Sequence, residues 1–316
     1  MTVSSISSPA KSRPSLASRL KSGVSATPLK IVVHGQEGVG KTTLASQAPA
    51  PIFIAPEKGF GLLGSHRLSP ENWLDAIELL RMIRAEGKEY KTVVLDTADW
   101  MEALCWEHLC KINHVDSIEK VGGGYGKGYT AAYEQFRLMF SEFDQLQEQG
   151  KHVIILAHSA IRPFNPPEGT PYDRYAMKLN KQVAGLLAEW ADVLLFARFK
   201  TFTSKERGAK KAYATGGQER EMRTSHDALF DAKNRFGLPE TLPLDWDSFW
   251  SAYQESLKAV STRCETVRND IRKLLEQDSA RLARAENNFI TVGDDYARLV
   301  NIRAKLTNEL QPTQES

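Results

Sequence analysis

The sequence is poor in cysteine: its 316 residues hold only Cys105, Cys110 and Cys264. So odd and sparse a set excludes a disulfide framework and points to a reducing compartment, the cytoplasm. Long hydrophobic runs are missing too. No stretch reaches the roughly 18 apolar residues of a membrane-spanning helix, so no membrane partner is expected. Charge of one sign is also scarce. Lys plus Arg total 41 against 39 Asp plus Glu, a formal net charge of +2. Any basic nucleic-acid site must therefore be local. The segment 1–28 contains no acid at all; it has nine Ser, three Pro, Lys11, Arg13, Arg19 and Lys21. Such a segment cannot bury a core and is expected to be a disordered basic tail. An organelle transit peptide shares that composition; a plain arm touching nucleic acid is the preferred reading.

What is present is a globular composition, 41% hydrophobic and 25% charged. Short apolar runs at Lys30–His34, Pro51–Ala55, Thr92–Asp96, His152–Ala157 and Val193–Phe199 read as buried strands. Between them, Trp73, Ile77, Leu80 and Ile83, then Ala132, Phe136, Met139, Phe143 and Leu146, fall at helical spacing. The alternation predicts an α/β core over 29–245, with a mostly parallel sheet between helices. Residues 200–236 read as short antiparallel strands around a loop at Gly208–Gly217. Residues 246–316 form a helical C-terminal extension. In it Leu257, Val260, Cys264, Val267, Ile271 and Leu274 alternate spacings of three and four. That suits a short coiled-coil seam, a helical hairpin, or packing back on the core.

The strongest motif is Gly35-Gln36-Glu37-Gly38-Val39-Gly40-Lys41-Thr42, followed by Thr43. It matches G-x-x-x-x-G-K-[ST] between a predicted strand and a predicted helix. Glycines let successive backbone N–H groups turn inward on phosphate oxygens, and the helix N-terminus faces the same anion. Lys41 is expected to reach the β- and γ-phosphates, and Thr42 to hold Mg2+. Asp96, ending an apolar strand, is a second Mg2+ candidate; its plain alternative is a cap for the next helix. Glu57, just past a strand taken to neighbour the phosphate-loop strand, can activate a water. His158, at the tip of another strand, can sense the γ-phosphate. Each has a bland alternative, a strand-end acid and a satisfied surface histidine.

The order of these motifs resembles the RecA-like P-loop ATPases. The similarity is to their compact phage-encoded members: the nucleotide-binding AAA-type family and the single-strand annealing ATPases that keep only the RecA core. It covers about 29–245. The resemblance implies ATP and Mg2+ as ligands, Glu57 as the catalytic Glu that activates the water, Asp96 on the metal strand and His158 as sensor. Asp231-Ala-Lys233-Asn-Arg235 resembles the element whose cations reach a neighbouring subunit's γ-phosphate. That implies a homo-oligomer with an inter-subunit active site; otherwise the element is a basic turn. This chain departs from the family pattern in having Ala55 where an acid often stands.

The resemblance also implies single-stranded DNA at two loops. The first carries Lys120, Tyr125 and Lys127 among glycines; the second, Ser159–Asn180, carries Arg162, Arg174 and Lys178 and is expected to be unstructured without a ligand. A nucleotide lid or an ordinary surface loop is the alternative for both. Arg198–Arg223 holds eight cations against three acids and reads as a solvated hairpin or an auxiliary phosphate track. Cys105, His108, Cys110 and His114 have ligand-like spacing, but a continuous helix sends them to opposite sides, so zinc is not expected. The leading function is a DNA-stimulated ATPase in phage recombination or annealing, in an infected bacterial host, with a single-strand-binding protein as a further partner. A P-loop kinase and a nucleotide-gated protein scaffold are the alternatives.

Overall fold

The computed structural model describes residues 28–57, 64–204 and 213–310. The expected tail, but for its last residue, lies outside them, as do residues 208–212 of the expected loop. The loop's remaining residues, 213–217, belong to a strand.

In chain order the elements are β1 (Lys30–Gly35), α1 (Lys41–Ser46), β2 (Pro51–Ile54), β3 (His66–Leu68), α2 (Trp73–Glu86), β4 (Thr92–Asp96) and α3 (Ala98–Ile112). Then come α4 (Lys127–Glu148), β5 (His152–Phe164), β6 (Tyr172–Met177), α5 (Lys181–Trp190), β7 (Val193–Ser204), β8 (Tyr213–Arg223), β9 (Lys233–Asn234) and β10 (Thr241–Pro243). Three helices follow: α6 (Trp246–Leu274), α7 (Ser279–Val292) and α8 (Tyr296–Leu310). The sheet order is β10-β8-β7-β1-β5-β4-β2-β3, with β6 paired to β5 and β9 to β7. From β7 to β3 every pairing on this path is parallel. The α/β architecture expected from the sequence is the one observed. Among the described residues no helix is long and apolar enough to cross a membrane.

Parallel strands need both faces covered, which is why they read as unbroken apolar runs. Val32, Val93, Leu95, Val153, Ile155 and Leu194 join one core cluster with side chains of α2 to α5. Trp73 and Phe136 are its largest pieces, with ring centroids 5.2 Å apart. Asn72 starts α2, its side-chain oxygen accepting N–H bonds from Leu74 and Asp75.

Three expectations need correction. The strand before Glu57 does not neighbour the phosphate-loop strand, since β5 and β4 stand between β1 and β2. Ser159–Asn180 is not an unstructured loop. β5 continues to Phe164 and pairs antiparallel with β6, Ser159 opposite Met177 and Phe164 opposite Tyr172. The Phe164 and Tyr172 rings close its far end at 5.4 Å, and Pro166, Pro167 and Pro171 sit in the connection rather than breaking the arm. Third, the described residues divide after Ser256 rather than at residue 245. Trp246 and Trp250 of α6 pack edge-on against His152 of β5, which ties that turn to the sheet unit.

The helical unit from Leu257 has its own core of Cys264, Val267, Ile271, Leu275, Phe289 and Leu299. The apolar stripe thus closes within a set of three helices, and its last member is Leu275. Leu274, the expected one, is 36% exposed.

Candidate nucleotide site

Gly35 ends β1 and Lys41 opens α1, so the phosphate-loop motif spans a strand-to-helix turn. Gly38 and Gly40 have φ of 73° and 105°, in the left-handed region that other residues avoid. Val39 is fully buried and anchors the loop from inside. The Lys41 ammonium donates to the carbonyls of Gly35 (3.1 Å) and Gln36 (3.0 Å). Burial lowers its pKa, and the carboxylates of Asp96, Asp99, Glu37 and Glu57 act against that.

Strand order explains the convergence. With β5 inserted between β1 and β4, Gly35 lies opposite His158, and Asp96 lies opposite Leu156. Thr42 donates its hydroxyl to Asp96 at 2.8 Å. Asp96 is buried, and burial raises its pKa while the Thr42 bond opposes the rise. Glu57 is half-buried; Arg67 donates to its main-chain carbonyl at 2.8 Å, and its charge acts on both Lys41 and Asp96. The structure therefore gathers Lys41, Thr42, Asp96, Glu57 and His158 around one loop, from α1 and the ends of three different strands.

His158 is not a free sensor. Its backbone N–H donates to Asp99 Oδ1 (2.9 Å), and its Nδ1 meets Asp99 Oδ2 (2.8 Å). Burial alone would raise the Asp99 carboxyl, but these His158 bonds hold it below its usual value. One turn along α3, Glu102 accepts the Asn180 N–H with both oxygens at 3.0 Å. Burial pushes the Glu102 pKa up to about 7. Sequence reasoning passed over both acids. The signal was there: Asp96, Asp99 and Glu102 recur at threes, and the last two share a face of a helix leaving the Asp96 strand.

Asp99 and Glu102 also line a cavity of about 980 Å3 together with Trp106, Tyr125, Arg162 and Lys178. Three of the six expected DNA residues, Tyr125, Arg162 and Lys178, thus lie at this cavity, and three do not. Tyr125 is wholly exposed at the cavity. Lys120 instead pairs with Asp116 at 2.7 Å, and Lys127 opens α4; neither is among the lining side chains. Arg174 is committed elsewhere, to Asp231 and the Phe164 ring. The expected neighbour-reaching cations also differ. Lys233 donates to the Ala188 and Glu189 carbonyls at the end of α5, so it caps its own chain's helix. Arg235 is largely exposed, 3.8 Å from Asp192.

A family model described as an AAA domain matches residues 27–236. The chain belongs to that family. No curated protein matches it. Among solved structures the chain is similar to the flagellar accessory protein FlaH from Methanocaldococcus jannaschii, at 10% identity and a TM-score of 0.36, over 68% of this chain and 84% of that one. The AAA domain is a P-loop ATPase, and such proteins bind and hydrolyse ATP with Mg2+. The residues fit that ligand. Glycine-held N–H groups and Lys41 suit a triphosphate, and the Thr42–Asp96 pair offers a hydroxyl and a carboxylate to a hard cation.

Proposed function

We propose that this AAA domain is a RecA-like ATPase acting on single-stranded DNA in phage recombination or strand annealing, its turnover stimulated by the DNA. In this reading Lys41 contacts the β- and γ-phosphates while Thr42 and Asp96 hold Mg2+, which supplies charge neutralisation at the phosphates when bound. Glu57 orients and deprotonates the attacking water. His158, steered by Asp99, senses the γ-phosphate. Arg235 reaches the site of a neighbouring copy in a homo-oligomer, and a single-strand-binding protein is a further partner. The setting would be the cytoplasm of an infected bacterial host.

The observation that carries the DNA part is Asp99. Its carboxylate holds His158 beside the phosphate loop and also lines the cavity with Trp106, Tyr125, Arg162 and Lys178. Rings can stack on bases, at about 1–3 kcal/mol per base, and the cations can track phosphates. One side chain shared by two sites is a short route for coupling ATP to DNA affinity.

The test is ATP turnover with and without a single-stranded oligonucleotide across a salt series. Stimulation that fades steeply with salt is the expected result, because backbone contacts are salt-sensitive. No stimulation and no binding at low salt sinks the DNA reading. Phosphate transfer to a small acceptor, lost on changing Arg162, would favour a P-loop kinase using the same cavity.

A further inference from the structure

We propose that Arg220 is a nucleotide-phosphate ligand that this chain supplies to its own phosphate loop. The proposal rests on the nucleotide reading of that loop and adds a residue which the motif does not contain. Its ligand class is a nucleoside di- or triphosphate.

β8 runs antiparallel to β7, which lies next to β1. That puts Arg220 against the turn: its Nη1 is only 2.8 Å from where a side-chain carbon on Gly40 would stand. Gly40 thus serves two ends, since its φ of 105° disfavours any side chain and the space beside it holds a guanidinium.

Along the β7–β8 ribbon, Arg198 pairs with Glu221 at 2.7 Å and Lys200 with Glu219 at 3.0 Å. Arg220 stands between those two glutamates in sequence, so strand alternation sends it to the opposite face. Among the described residues it has no carboxylate partner. The Phe199 ring directly across the ribbon holds it instead, 5.6 Å from its guanidinium carbon. An exposed cation, aligned by a ring and left unneutralised beside a phosphate loop, is suited to a polyanion. A guanidinium offers parallel N–H donors that match two phosphate oxygens at once, which a lysine cannot. Arg220 also comes from the same chain, so it acts in a monomer, whereas a neighbour's cation requires assembly.

The experiment titrates ATP, ADP and adenosine into the full chain by calorimetry, for the wild type, Arg220→Ala, Arg220→Lys, Lys41→Ala and Arg137→Ala. Arg137 is a surface cation on α4 paired with Glu134 and serves as the control. The expected result is a loss of about 10- to 100-fold in ATP and ADP affinity in Arg220→Ala, the range for a charge-assisted bond. Arg220→Lys should recover part of it, and Arg137→Ala should match the wild type. The melting temperature should not move, because Arg220 is exposed. If Lys41→Ala loses ATP while both Arg220 variants bind and turn it over within about two-fold of wild type, the proposal is overturned and the nucleotide site stands. If the wild type ignores ATP, the nucleotide reading falls, and this proposal with it.

Discussion

His34 offers a quantitative test of how the phosphate-loop strand is held. It is fully buried one residue before Gly35. Its Nε2 lies 2.7 Å from the Asp231 carbonyl, and its Nδ1 lies 2.9 Å from the Ser159 hydroxyl. A carbonyl only accepts, so Nε2 carries the proton; in the neutral ring that burial favours, Nδ1 then accepts from the Ser159 hydroxyl. This is the neutral ring. Burial lowers its pKa from 6.5 to about 4, outweighing the Asp231 carbonyl and charge, while Lys41 and Arg174 push the same way as burial. The unfolded chain takes up the proton near 6.5 and the folded chain near 4, so the folded state keeps its full advantage above 6.5 and loses it as pH falls through 4. At about 1.4 kcal/mol per pH unit, the whole gap is worth about 3 kcal/mol, and about 2 kcal/mol of it goes between about pH 7 and pH 5. Urea melts followed by tryptophan fluorescence isolate this, because all six tryptophans lie at or before Trp250, outside the helical unit. His34→Gln keeps an N–H donor for Asp231 but does not titrate. It should be the weaker protein at pH 7, with the gap closing by about 2 kcal/mol at pH 5. A gap that stays constant refutes the neutral buried ring.

Other outcomes follow from the same geometry. Phe136→Ala removes a fully buried ring from the middle of the core, against Trp73 and Phe140. It should cost about 3–5 kcal/mol in the same urea melts. Lys233→Ala removes the cap on α5 and should lower stability by about 1 kcal/mol, read as a drop in melting temperature. Arg235→Ala should leave stability unchanged. If its cation serves a neighbouring copy, turnover in the assembled protein should fall by about 1000-fold. Full turnover ends the inter-subunit model.

Much of this was legible in the sequence where one local rule sufficed. The phosphate loop needs its glycines and Lys41 in fixed order, and the strands around it are buried on both faces, so both signals survive without tertiary context. What escaped depends on pairing between distant segments. The arm of β5 and β6 was hidden because Pro166, Pro167 and Pro171 read as a long loop, when they only mark its turn. Lys233 looked like an outward cation until β9 paired with β7 and brought it to the end of α5. Glu57 was placed beside the wrong strand, since sequence order does not reveal the insertion of β5. Arg220 was one of eight cations in a basic stretch, and only the register of β7 and β8 separates it from those that are neutralised.

β5 has one further consequence. Its first half is wedged between β1 and β4, and its second half forms the arm, with no break in the ladder at His158. From His158 to Phe164 the strand projects about 20 Å, at about 3.3 Å per residue. A rod clamped at one end behaves as a lever. A tilt of about 10° where His158 faces Gly35 would sweep the tip, where the aromatic pair closes the arm, through about 3.5 Å.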